Sequence, residues 1–120
     1  MTHPMQAAEK LTDEAVMEMV DRLSHRWQLD EETRRQLLST DPGSHRAERT
    51  ESSTAVARAR QLLTIHAGLR LLFPEDRELR WTWVTRRNRA LDGSTPLGVM
   101  LGGDDGIVRV LQHIQEGVGT

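Results

Sequence analysis

EDRELRWTWVTRRNRAL, residues 75–91, admits two readings, and the choice between them sets the fold class. As a strand, the inner RWTWVT is rich in β-forming residues and places Trp81 and Trp83 on one face. As a helix, Leu79, Trp83 and Ala90 share a side, while Trp81 points about 200° away from Trp83. The acidic residues after Pro74 suit the first turn of a helix. No second convincing strand exists elsewhere, and a lone strand would leave its backbone groups unpaired. The sequence therefore predicts a helix here and an all-α chain of about six helices.

Upstream, Val16, Val20, Leu23 and Trp27 recur at helical spacing, Thr12 is a cap, and Leu11 and Val16 occupy the two positions of a hydrophobic staple. A helix over about 12–28 follows. Asp30 caps a shorter one, EETRRQLLS, whose acidic first turn suits the helix dipole. The stretch TDPGSHRAERTESS has Pro42, Gly43 and no apolar periodicity, which predicts an exposed loop over about 40–53. It separates an N-terminal helical region, residues 1–51, from a C-terminal helical unit, residues 52–120. Ser52, Ser53 or Thr54 then caps a long helix with Val56, Ala59, Leu62, Leu63, Leu69, Leu72 and Phe73 as its inward stripe, and Pro74 ends it. Thr95 as cap and Pro96 at the first helical position begin a short helix that stops at Gly102-Gly103. Asp104 or Asp105 caps the last helix, whose apolar face is Ile107, Val110, Leu111, Ile114 and Val118.

The hydrophobic fraction is 37% and the charged fraction 28%, so the core is thin and much of the chain faces water or a partner. There is no cysteine, which removes disulfides and thiolate metal sites and fits a reducing cytoplasm. No long apolar run and no basic-then-apolar start is present, and both absences point to a soluble cytosolic protein. Net charge is −2, but residues 1–51 carry seven basic and eleven acidic groups, residues 52–91 eight and three, and residues 92–120 one and four. A basic middle between acidic ends suits internal pairing, or an acidic partner for the middle alone.

Catalytic, metal and cofactor sites are not expected. His3, His25, His45, His66 and His113 are scattered without ligand spacing, and no elbow motif frames a serine. His66 lies on the apolar stripe between Leu62 and Leu69 and reads as a hydrogen-bonded core histidine. LGVMLGGDDG lacks the Gly-Lys-Ser/Thr ending of a phosphate loop, and its aspartates would repel a phosphate. Arg86, Arg87 and Arg89, with Arg77 and Arg80, offer a phosphate-binding face for nucleic acid. Against this, a run of arginine on a helix usually faces solvent, and the helices over about 30–39 and 54–73 are joined by a connection too long for a helix-turn-helix.

From about Thr54 onward the chain resembles the Xre/MbcA/ParS antitoxin family in its toxin-binding domain. The resemblance lies in LRLLFPED, then WVTRRNRAL with Trp83 five residues before Asn88, then DGSTPLGVML, then the terminal helix GIVRVLQHIQEGV. Arg87 stands where the family often has proline, and Trp81 is an addition. The resemblance implies an antitoxin that dimerises and occludes the active site of a RES-domain toxin acting on NAD or transferring ADP-ribose. The alternative is a DNA-binding autorepressor of its own operon. Many relatives carry an N-terminal Xre-like helix-turn-helix, but residues 1–51 are net acidic and Pro42-Gly43 interrupts them, which leaves at most a degenerate version. The expected toxin-binding residues are Trp81, Arg86, Arg87, Arg89 and the C-terminal end, Glu116, Gly117, Val118, Gly119 and Thr120, with Gly117 to Thr120 as a flexible tail that enters a pocket. Trp81 is either an interface anchor or packed on the 12–28 helix beside Trp27. Trp83, Asn88, Thr95 and Pro96 are expected to be structural: Trp83 packs in the core, and the others shape the bend into the next helix.

Overall fold

A computed structural model describes residues 12–38 and 48–119, with side chains from Thr54 onward in the second segment. Among the described residues there are six α-helices and no strand: α1 (Asp13–Arg26), α2 (Glu31–Leu38), α3 (Glu48–Leu72), α4 (Arg77–Thr82), α5 (Pro96–Met100) and α6 (Asp104–Gly119). None of them is long and apolar enough to cross a membrane. Leu11, half of the expected staple, lies outside the described residues.

The caps come from local side-chain chemistry. The Thr12 hydroxyl accepts from the Ala15 N–H at 3.2 Å, and the Asp30 carboxylate accepts from the Thr33 N–H at 2.7 Å. Bonds from the Thr33 hydroxyl and then the Thr33 backbone hold the Asp30 carboxyl below its ordinary pKa. Thr95 accepts from the Gly98 N–H at 3.0 Å, and Pro96 opens α5. The last helix differs from expectation. Asp104 is its first residue and caps nothing; the Ile107 N–H donates to the Gly103 carbonyl. Asp104 instead receives the Arg58 Nε–H at 2.7 Å, so its carboxylate is engaged across the fold.

Two expected boundaries move. Residues 40–47 of the expected loop lie outside the described residues, and α3 already runs at Glu48, upstream of the expected caps Ser52, Ser53 and Thr54. Nothing in ERTESS bars a helix, since it holds neither proline nor glycine. The single helix expected over residues 75–91 also breaks. It is α4, followed by a 3-10 turn at Trp83–Thr85 and another at Arg89–Leu91, with extended backbone at Arg86 (φ −95°, ψ 146°) between them. Thr82 and Thr85 turn their hydroxyls back to the carbonyls of Glu78 and Thr82, and Asn88 gathers the next turn onto itself. Such side chains offer the backbone an alternative to the helical ladder. Ala90, expected on the buried side with Leu79 and Trp83, is therefore exposed.

One continuous core joins these elements. Val16, Val20, Leu23 and Trp27 of the α1 segment meet Leu37 and Leu38 of α2, Ala59, Leu62, Leu63, Ile65 and Leu69 of α3, and Ile107, Val110 and Ile114 of α6. Ile65, fully buried, belongs to the inward face of α3 although the expected stripe omitted it; Val56, Leu72 and Phe73 are only half-buried. Arg58 is buried at 7% exposure, and besides Asp104 it reaches the Leu37 carbonyl at 3.4 Å. It thereby joins the last turn of α2 to the first turn of α6 through α3. The Arg58–Asp104 contact at one end and Gly117 beside Leu72 at the other show that α3 and α6 run side by side in the same direction.

Candidate partner-binding surface

Trp81 and Trp83 separate into different surroundings. Trp81, half-buried at the end of α4, stacks on His66 of α3 with ring centres 4.7 Å apart and planes 21° apart. The Arg26 guanidinium, from the last turn of α1, stands 5.5 Å from the same indole. Trp83 instead lies in the core at 9% exposure, parallel to the His113 ring of α6 at 6.3 Å. Two residues of a short helix thus hold its two sides, one against α1 and α3 and the other against α6. Trp81 lies at the end of α1, on Arg26 rather than beside the buried Trp27, and stays half-exposed.

The arginines sit on the chain that leaves Trp83. Asn88 organises this segment: its side-chain oxygen accepts from the Ala90 N–H at 2.9 Å, its carbonyl accepts from Leu91 and Gly93, and its own N–H donates to Ser94. The turn closes at Asp92, in the left-handed region at φ 58°, where its carboxylate pairs with Arg109 of α6 at 3.3 Å. The backbone thus passes from Trp83 beside His113 to Asp92 beside Arg109, and Arg86, Arg87 and Arg89 on the segment between them are exposed. Among the described residues none of the three pairs with a carboxylate; Arg86 donates to the Thr82 hydroxyl at 2.9 Å.

At the C-terminal end the expected flexible tail is absent. Residues 117–119 continue α6 as helix; Thr120 lies outside the described residues. The local reason is packing. A Cβ on Gly117 would sit 3.2 Å from Leu72 Cδ2, and half-buried Val118 joins the core, so α3 holds the last turn in place. Glu116, Gly117 and Gly119 are exposed, as is Leu71 (43%) on the neighbouring last turn of α3. The structure ties the arginine segment to α6 through Trp83–His113 and Asp92–Arg109, and the C-terminal end is the last turn of that same helix. It places Trp81 elsewhere, toward α1.

His66 is not the hydrogen-bonded core histidine that its position on the stripe suggested. Its Nδ1 is buried without a partner among the described residues, and the ring is held by stacking instead. Burial first, and then the charges of Arg70 and Arg80, push its pKa down from 6.5 to about 4. The unfolded chain takes up the proton that the folded ring refuses, so the stability from neutral His66 is fully present above about pH 6.5 and is lost as the pH falls toward about 4. Because the ring is partly open to water, this contribution is about 1–2 kcal/mol, less than the full shift converts to. His66→Gln is expected to flatten that part of the pH profile in urea unfolding, and parallel profiles for the two proteins would contradict the assignment.

Residues missed by sequence reasoning lie in this same region. Arg26 and Arg70 join Arg80, already expected on the arginine face, around the Trp81–His66 pair, and no spacing along the chain connects a residue of α1 to α4. Arg80 Nε is buried without an acceptor among the described residues. Nor do those residues contain a group of three or more His, Cys, Asp or Glu placed to hold a metal.

Residues 68–115 match the sequence profile of the family described as the antitoxin Xre/MbcA/ParS C-terminal toxin-binding domain. The match begins in the last turns of α3 and ends in α6, so it takes in both tryptophans, the Asn88 turn and α5. It leaves out α1, α2 and Glu116–Thr120, and is narrower than the resemblance expected from Thr54 onward. No curated protein and no solved structure matches the chain.

Proposed function

Taking residues 68–115 as an antitoxin toxin-binding domain, we propose that the protein is the antitoxin of a type II toxin–antitoxin pair and acts in the cytoplasm by occluding the active site of a RES-domain toxin. It performs no chemistry of its own; the NAD-consuming or ADP-ribosylating reaction belongs to the partner. The family match carries this reading. The exposed arginines and the C-terminal end of α6 support it as the surface that meets the toxin: Arg86, Arg87 and Arg89 supply cations that pair with no carboxylate among the described residues, and residues 116–119 supply a narrow helix end, followed by Thr120. Trp81 adds an aromatic anchor toward α1, since Trp and Arg dominate binding hot spots. Trp83, Asn88, Thr95 and Pro96 hold that surface in shape. A homodimer within the complex would use Leu101 and Val108, which are exposed at 38% and 37% where α5 meets α6.

Co-expression with the neighbouring open reading frame tests the reading. A RES-type protein is expected to copurify and its growth arrest to be relieved; if neither happens, the antitoxin reading fails. Deleting residues 117–120 is expected to weaken the complex about tenfold or more, equivalent to about 1.4 kcal/mol. Arg86, Arg87 and Arg89 changed together to Gln should lower affinity and flatten its salt dependence. Unchanged neutralisation by both variants would place the occluding surface elsewhere.

A further inference from the structure

Arg26, Arg70 and Arg80 come from three separate helices and converge on one stacked pair of rings. The Arg26 guanidinium lies over Trp81, Arg70 follows His66 by one turn of α3, and Arg80 immediately precedes Trp81 on α4. None of the three pairs with a carboxylate among the described residues, although the chain has eighteen acidic groups. On the rest of α1, on α2 and in the first half of α3 the pattern is reversed. The other arginines of α1 and α2 are paired, with Glu18, Asp21 and Glu31, and Arg58 and Arg60 of α3 reach Asp104 and Asp13. Among the described residues Arg77, Arg86, Arg87 and Arg89 also lack a carboxylate, but they are exposed, whereas Arg80 beside Trp81 is half-buried. Here Arg80 Nε, a donor on a permanently charged group, is buried with no acceptor, and His66 Nδ1 beside it is also unpartnered.

We propose that this cluster docks an acidic side chain of the toxin, and that α1, outside the matched residues 68–115, thereby takes part in toxin recognition. The proposal rests on the antitoxin reading above. A carboxylate is the complementary charge, and guanidinium groups grip it through charge-assisted, often bidentate bonds. The half-exposed Trp81 supplies the flat apolar wall beside which such a pair loses its water. One discrete carboxylate suits the site better than a nucleic-acid backbone. Glu75, Asp76 and Glu78 at the start of α4 are exposed, as is Glu18 on α1, and a polyanion crossing the cluster would meet them. An acidic side chain between neutral neighbours would not.

The test uses the full chain and the copurified toxin, with Kd measured from low to high salt. Arg26→Gln, Arg70→Gln and Arg80→Gln are each expected to weaken binding about tenfold, and the triple variant at least a hundredfold, with a shallower salt dependence. Arg22→Gln, which removes an exposed pair with Glu18 on the same helix, serves as control and should bind like the wild type. Thermal melts separate loss of fold from loss of contact, and Arg26, exposed at the end of α1, keeps the test decisive if Arg80 variants unfold. Wild-type affinity and salt dependence in Arg26→Gln and in a folded triple variant would overturn the proposal and leave the antitoxin reading standing. Loss of binding to upstream DNA without loss of toxin binding would assign the cluster to nucleic acid and also overturn it. A wild-type chain that binds no toxin removes both.

Discussion

Replacing Gly106 with alanine is expected to destabilise the protein by about 3 kcal/mol or more, the upper end of what overpacking costs. Helix propensity alone argues the opposite, since Gly106 lies within α6 and alanine is better there by about 1 kcal/mol. Geometry decides the sign. A Cβ on Gly106 would lie 1.8 Å from the Val99 carbonyl oxygen and 2.8 Å from the Val99 carbonyl carbon. Both are backbone atoms of α5, so no side chain can rotate to make room, and the two helices must move apart. Moving them opens the packing of Met100 and Ile107, which are 1% and 0% exposed. Urea unfolding of Gly106→Ala against wild type measures the difference. A variant more stable by about 1 kcal/mol would show that propensity wins and that the close approach is not real.

Gly106 also illustrates why some of the fold could be read in advance and some could not. Capping and periodicity depend on residues within four positions of each other. Thr12, Asp30, Thr95 with Pro96, and the Ile107–Val110–Ile114 face of α6 were therefore legible. The break after Thr82 was not. WTWVTRRNRAL carries helical spacing, and the outcome turns on whether Asn88 and two threonines bond the local backbone instead of continuing the ladder. Asp104 was misread as a cap for a related reason. Its position suited that role, but Arg58, 46 residues earlier, claimed its carboxylate.

The candidate surface shows the same division. Arg86, Arg87 and Arg89 announced themselves as a run, and their exposure follows from an extended segment that has nothing apolar to bury. The Trp81 surroundings could not be read, because they assemble from α1, α3 and α4. Arg26 looks in sequence like an ordinary basic residue in the last turn of a helix, favourable to the dipole. Only the fold brings it over an indole 55 residues away. The C-terminal end was misjudged by composition: Gly-x-Gly suggested a loose tail, yet without a Cβ at Gly117 the α6 backbone can approach Leu72, and the helix continues to Gly119.

Trp83→Ala is expected to cost about 3–5 kcal/mol, the range for truncating a buried indole. Domains of this size have about 6–18 kcal/mol in total, so this is a large share, and Tm should fall by roughly 10–20 °C. The indole lies between the 3-10 turn that it begins and α6, parallel to His113, with fully buried Val84 next to it. It spans the joint at which the chain leaves α4 for the Asn88 turn. Collapse into the space it leaves would have to pull that turn inward, against the bonds of Asn88 and the Asp92–Arg109 pair. Incomplete collapse leaves a cavity, and this is what drives the loss to the upper part of the range. Trp81→Ala is the informative contrast. Its indole is half exposed, so truncation should cost less stability while removing the wall between Arg26 and His66. A calorimetric scan of both variants, followed by toxin binding below the lower Tm, separates the roles. The expected pattern is a large Tm loss with retained binding for Trp83→Ala, and a small Tm loss with weakened binding for Trp81→Ala. The reverse pattern would exchange scaffold and anchor between the two tryptophans.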